Sequence, residues 1–121
     1  MIRYCIIPPQ GDSYVAILGK SQGRSEFLAN IVGENYQEIT TVGQFPVVGS
    51  YLYVNLKSRE LPNYIASALS GRPITGTAVV FGGKEGGRDV EPNLELTSRI
   101  LNDKAFCKTY VNIGKIIHEN Y

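Results

Sequence analysis

The run Ile74-Thr75-Gly76-Thr77-Ala78-Val79-Val80-Phe81 constrains the fold of this chain more than any other stretch, because it is β-forming almost from end to end. A strand with one wet face alternates apolar and polar side chains, whereas a nearly continuous run belongs in the interior of a sheet. It predicts a central strand. A chain of 121 residues with 43% hydrophobic content has enough apolar surface for one continuous core without disulfide or metal staples, so a single domain spanning residues 1–121 is expected.

The neighbouring elements follow from local pattern. Residues 2–7 are rich in β-branched and aromatic side chains and stop at Pro8-Pro9, which cannot donate to a ladder. After the turn cluster Gln10-Gly11-Asp12-Ser13, residues 14–18 read as a second strand, antiparallel to the first. Past the polar stretch Lys20-Ser21-Gln22-Gly23, residues 24–32 place Phe27, Leu28, Ile31 and Val32 on one face at helical spacing, with Gly33 as the C-terminal stop. Residues 36–42 and 47–55 read as two further strands joined at Gly43-Gln44-Phe45-Pro46. A short helix is expected over 62–69 with proline in its first turn, the central strand over 74–81, and another helix over 92–101 capped by Asn93. From Lys104 onward the pattern fits either a strand pair broken at Gly114 or a helix. The whole reads as an α+β fold, a mixed but mainly antiparallel sheet with two or three short helices on one face.

Twelve Lys and Arg against eleven Asp and Glu leave a formal charge of +1, without the basic excess of a general nucleic-acid binder. A near-neutral surface also removes the repulsion that keeps small proteins apart, and a homo-oligomer is expected. Cys5 and Cys107 form no Cys-x-x-Cys pair and His118 is the sole imidazole, so no zinc site is expected and the thiols read as packing residues of a reduced, cytoplasmic protein. No membrane span and no cofactor are expected.

Chemistry concentrates after the central strand. In Gly82-Gly83-Lys84-Glu85-Gly86-Gly87-Arg88, four glycines free the backbone to form an anion-binding nest, with Lys84 and Arg88 adding charge. The loop lacks the Gly-Lys-Ser/Thr of nucleotide hydrolases and the Gly-x-Gly-x-x-Gly of dinucleotide folds, and the same composition suits a flexible connector. Arg59 and Arg72 fall at element ends around the same unit; with Arg88 they would make an anion site if they converged, and otherwise are solvated or paired with Glu60, Asp89 and Glu91. Tyr53 and Tyr64 are candidate stacking faces among eight tyrosines, of which Tyr51 and Tyr53 share a strand face. His118 has no serine or cysteine beside it in a nucleophile motif and reads as a surface residue; Asp89 and Glu91 face one way through pleating alone.

The segments Leu52-Tyr53-Val54-Asn55, Leu61-Pro62-Asn63, Ala66-Ser67-Ala68-Leu69-Ser70-Gly71 and Ile74-Thr75-Gly76-Thr77-Ala78-Val79-Val80-Phe81-Gly82 together resemble the 3846 family of domains of unknown function, small bacterial and phage proteins. The resemblance spans residues 52–91, with weaker agreement at the helix of residues 27–33 and none from Lys104 onward. It implies a small accessory protein of phage or other mobile-element origin and no known reaction. Proteins of such origin often act by binding. The expectation is a non-enzymatic protein that sequesters a small anionic ligand, such as a nucleotide second messenger, and so counters host defence. Its alternatives are an inhibitor of a host defence protein, and a small enzyme acting on a nucleotide.

Overall fold

The computed structural model describes residues 2–19, 23–42, 50–86 and 88–121. β1 (Ile2–Ile7), β2 (Tyr14–Leu18), β3 (Gln37–Thr40), β4 (Tyr51–Val54) and β5 (Ala78–Phe81) form one sheet in the order β2-β1-β5-β4-β3. Every neighbouring pair is antiparallel, so this sheet is antiparallel throughout rather than mixed. β5 occupies the central position that its sequence predicts, with Val80 opposite Cys5 on one side and Leu52 on the other.

Pleating sends Ala78 and Val80 to one face of the sheet with Cys5, Ile7, Leu52 and Val54. There they meet Ala66 and Leu69 of α2 (Tyr64–Ser70), Leu96 and Ile100 of α3 (Leu94–Asn102) and Phe106 of α4 (Lys104–Glu119). Val79 and Phe81 point the other way with Tyr4, Ile6 and Tyr53, and are covered by Leu28 of α1 (Arg24–Ile31) and by Val32. Three helices thus share the expected face, and a fourth lies on the opposite one. That is why β5 shows no alternation: both of its faces are buried, and Ala78, Val79 and Val80 are 0% exposed.

The helix ends are built from local side chains. Asn63, not Pro62, starts α2: its Oδ1 accepts the Ala66 N–H at 3.1 Å, while its Nδ2 donates to the carbonyls of Ile7 (2.8 Å) and Gly76 (2.9 Å). Pro62 lies outside the helix, in an isolated bridge with Thr75. Gly71, with φ +74°, ends α2 in the left-handed conformation that glycine adopts without strain. β5 begins at Ala78 rather than at Ile74, because the backbone turns at Gly76 (φ +78°). Asn93 caps α3 through the Leu96 N–H at 2.9 Å as expected, and Asp103 ends α3 and caps α4 through the Phe106 N–H at 3.0 Å.

Residues 104–119 resolve as a helix, the second of the two readings open in the sequence. Gly114 does not break it. A Cβ there would sit 2.0 Å from the Tyr64 carbonyl oxygen, so glycine marks the crossing of α4 over α2. The predicted turn Gly43-Gln44-Phe45-Pro46, the strand start at residues 47–49, the stretch Lys20-Ser21-Gln22 and Gly87 lie outside the described residues.

Candidate functional site

The glycine-rich segment after β5 folds as a hairpin of β6 (Lys84–Glu85) and β7 (Arg88–Asp89), with Lys84 opposite Asp89. The ladder extends below it: the Gly82 N–H donates to Val90 O at 3.2 Å and the Val90 N–H to Gly83 O at 2.9 Å. The Gly82 N–H is therefore committed to the ladder and does not face an anion. Gly82 is glycine because a Cβ would lie 2.2 Å from the Glu91 carbonyl, and Gly83 because a Cβ would lie 2.8 Å from the Tyr51 ring. Gly86 supplies the turn with φ +59°.

What the hairpin does is deliver charge to the α1 side of the sheet. Asp89 forms an ion pair with Arg24, the first residue of α1, and the Arg24 guanidinium lies 5.6 Å from the centroid of the Tyr53 ring. Beside this pair is a cavity of about 270 Å3, lined by Arg24, Glu38, Tyr51, Phe81, Gly83 and Lys84. Its apolar wall is a row of rings, with Tyr51 and Phe81 centroids 5.5 Å apart and Phe81 stacked on Tyr53 at 3.7 Å. Lys84 is exposed and has no ion-pair partner among the described residues.

Under the ion pair are two buried phenols. Tyr4 is 1% and Tyr53 3% exposed, and neither hydroxyl has a hydrogen-bond partner among the described residues. Burial pushes the Tyr4 hydroxyl above its ordinary value, helped by the Asp89 carboxylate and opposed by Arg24, which lies near it without completing a hydrogen bond of ordinary geometry. Burial likewise pushes Tyr53 up to about 12, against Arg24 and with the help of Glu38. Both phenols are therefore neutral at physiological pH and hold a proton to donate. A buried hydroxyl without a partner costs about 1–3 kcal/mol; Ser50 Oγ is a third such group among the described residues.

No family model matches the chain, and no curated protein matches it by sequence. Among solved structures it is similar to the crystal structure of small RNA methyltransferase HEN1, with a TM-score of 0.58 and 14% sequence identity. The likeness covers 82% of this chain and 16% of that one. At this identity it shows the fold alone, and the chain spans a small fraction of that protein's length.

Of the residues singled out in the sequence, the structure brings Lys84, Gly83 and Tyr53 to one place, with Gly82, Gly86 and Arg88 on or beside the same hairpin. The arginines do not converge. Arg59 is exposed beyond the end of β4 at Val54, and Arg88 lies beyond the end of β5 at Phe81; since Tyr51 pairs with Phe81, those two ends are opposite. Arg72 is exposed after Gly71 at the end of α2. Asp89 and Glu91 are paired instead with Arg24 and Arg3. Tyr64 belongs to the α2–α4 crossing, edge-on to His118 at 5.4 Å and 5.8 Å from the Lys115 ammonium.

His118 is half-buried rather than a surface residue, with Nε2 2.8 Å from Ser67 Oγ. The pair is a structural node. Ser67 is 0% exposed; its hydroxyl lies 2.7 Å from Asn63 O and accepts the Ile74 N–H at 2.9 Å, and the direction of its bond with His118 is set by the imidazole tautomer. Cys5, 1% exposed, is held by burial at about 12, far above the range of a reactive thiol. Cys107 is also raised by burial, and its thiol lies 3.2 Å from Ile100 O; both cysteines are free. Among the described residues no cluster of His, Cys, Asp and Glu is suited to a metal ion, and no helix is long and apolar enough to cross a membrane.

Proposed function

We propose that this chain binds a small anionic ligand of the nucleotide class in the cavity between the first turn of α1, β4 and the β6–β7 hairpin. The observation that carries the reading is the pair of buried, unpartnered tyrosine hydroxyls beside Arg24 and Asp89. A phosphate placed there would accept from Arg24, with Lys84 at the mouth and the Tyr51 ring as a stacking face for a base, and would reach the two phenols behind Arg24 as the Arg24–Asp89 pair opens. The cavity's charges are balanced in the free protein, Arg24 and Lys84 against Asp89 and Glu38. An incoming anion therefore exchanges with the Asp89 carboxylate on Arg24 rather than entering a vacant cationic site.

The reading is of a protein that holds its ligand without transforming it. Its setting as an accessory protein of phage or mobile-element origin, countering host defence by sequestration in the bacterial cytoplasm, rests on the resemblance of residues 52–91 to the 3846 family. The test is thermal denaturation with a panel of mono-, di- and cyclic nucleotides, with inorganic phosphate for comparison. A ligand at one hundred times its Kd stabilises the fold by about 2.7 kcal/mol. Asp89→Asn removes the competing carboxylate and is expected to tighten binding, while Lys84→Ala weakens it. A panel without any shift at high micromolar concentration refutes the proposal.

A further inference from the structure

The two edges of the sheet differ in character. β3 exposes Gln37, Glu38 and Thr40 around a half-buried Ile39. β2 reads Tyr-Val-Ala-Ile-Leu, with no charge, proline or glycine, and leaves Tyr14 50%, Val15 46% and Ile17 56% exposed. Proteins that stay apart blunt such edges with lysine, proline or a bulge. β2 has none of these, and its register with β1 runs without a skip from Ile2 opposite Leu18 to Ile6 opposite Tyr14.

The apolar surface continues from the strand onto the helical layer. The register puts Val15 opposite Cys5 and Ile17 opposite Arg3, on the face that carries α3, where Leu94 is 82% exposed. Between β1, β2 and α3 runs a cleft of about 270 Å3, walled by Val15, Pro92, Leu94 and Leu101, with the Arg3 and Glu91 ion pair among its lining.

We infer that β2 is the contact edge of a two-fold homodimer, in which it pairs antiparallel with β2 of a second copy and joins two five-stranded sheets into one. A two-fold axis at Ala16 pairs all five residues of the strand, and any other register pairs fewer. It sets Ile17 of one copy opposite Val15 of the other, at the mouth of the cleft, and Tyr14 opposite Leu18. This contact is isologous and closes. Pairing of β2 with β3 of another copy would be open-ended and would set Gln37 and Glu38 against an apolar strand. The exposed parts of Tyr14, Val15, Ile17 and Leu94, backbone included, come to roughly 400–500 Å2 per copy, or about 900 Å2 over the two copies, the size of a weak, reversible interface below the ~1,200 Å2 of standard stable ones. A formal charge of +1 offers little repulsion to a second copy.

Sedimentation equilibrium and native mass spectrometry of the 121-residue chain test this, independently of any ligand. The expected result is a dimer at micromolar concentration. Ile17→Lys converts it to a monomer with an unchanged far-ultraviolet circular dichroism spectrum, and Gln37→Lys on β3 leaves the dimer intact. Tyr14→Lys provides a second disruption from the other face of the strand, should Ile17→Lys not fold. A monomer at all concentrations up to 100 times the micromolar range overturns the inference and leaves the edge to a different partner. A dimer indifferent to both lysines, or open-ended polymers in place of a dimer, overturns it equally.

Discussion

Tyr53→Phe separates folding from function at the proposed site. The substitution removes one oxygen from a side chain that is 3% exposed and keeps the ring that stacks on Phe81 at 3.7 Å and meets Tyr36 edge-on at 5.7 Å. That hydroxyl has no hydrogen-bond partner among the described residues, so in the free protein it contributes the cost of having left water, about 1–3 kcal/mol. Tyr53→Phe should therefore stabilise the free protein by about 1–2 kcal/mol, a rise of roughly 4–8 °C in Tm for a chain of this size. With ligand bound, the same hydroxyl donates to a charged acceptor, a bond worth about 1.5–3 kcal/mol. Its loss should weaken binding by about tenfold or more. Urea denaturation gives the first quantity, and calorimetric titration with the nucleotide that most stabilises the parent chain gives the second. A Tyr53→Phe protein less stable than its parent would show that the hydroxyl is satisfied in the free state. One that is more stable and binds as before would move the ligand elsewhere.

Three further outcomes test the fold around the site. Asn63→Ala deletes a cap and two buried carbonyl partners together, and should cost about 3 kcal/mol in urea denaturation, at about 1 kcal/mol for each bond lost. Gly114→Ala drives a methyl into the Tyr64 carbonyl; overpacking of this kind costs about 1–3 kcal/mol, and the loss should appear as reduced protection of α4 amides in hydrogen exchange. In alkali, Cys5 and Tyr53 are each raised to about 12, from 9.0 and 10.0. Groups raised in the folded state give stability that is complete below their unfolded values and is lost as pH climbs through the folded ones, so the Tm should be level to about pH 9 and fall from there toward pH 12. Cys5→Ala and Tyr53→Phe should each flatten part of that fall.

The fold was legible where burial dictates residue type. Residues 78–81 are apolar throughout because the sheet is covered on both faces, and that signal placed β5 at the centre before any pairing was known. It also contained the clue to a helix on the second face, since a strand covered from one side alone would have alternated. Residues 104–119 were ambiguous for a physical reason: Gly114 reads as a break in either element, and its cause is the backbone of α2, roughly fifty residues away in sequence. The motif Leu61-Pro62-Asn63 has its explanation in folding. Asn63 ties the start of α2 to the end of β1 and to the approach of β5.

The candidate site was half visible, and the missing half shows what a single sequence conceals. Gly82 to Arg88 stands out by composition, but two of its glycines are required by the Glu91 carbonyl and the Tyr51 ring, and the Gly82 N–H is spent on the hairpin ladder. The residues around the site come from four separate stretches: Arg24 on α1 and Tyr51 on β4 line the cavity, while Tyr4 on β1, Tyr53 on β4 and Asp89 on β7 lie behind or beside Arg24. Tyr4 and Tyr53 look in sequence like ordinary sheet tyrosines, and only the packing shows that their hydroxyls are stranded. Arg24 looks like any polar helix start until Asp89 is brought against it. An anion site assembled in this way depends on the hairpin for orientation rather than for ligating backbone. Shortening the hairpin should therefore abolish binding by releasing Arg24.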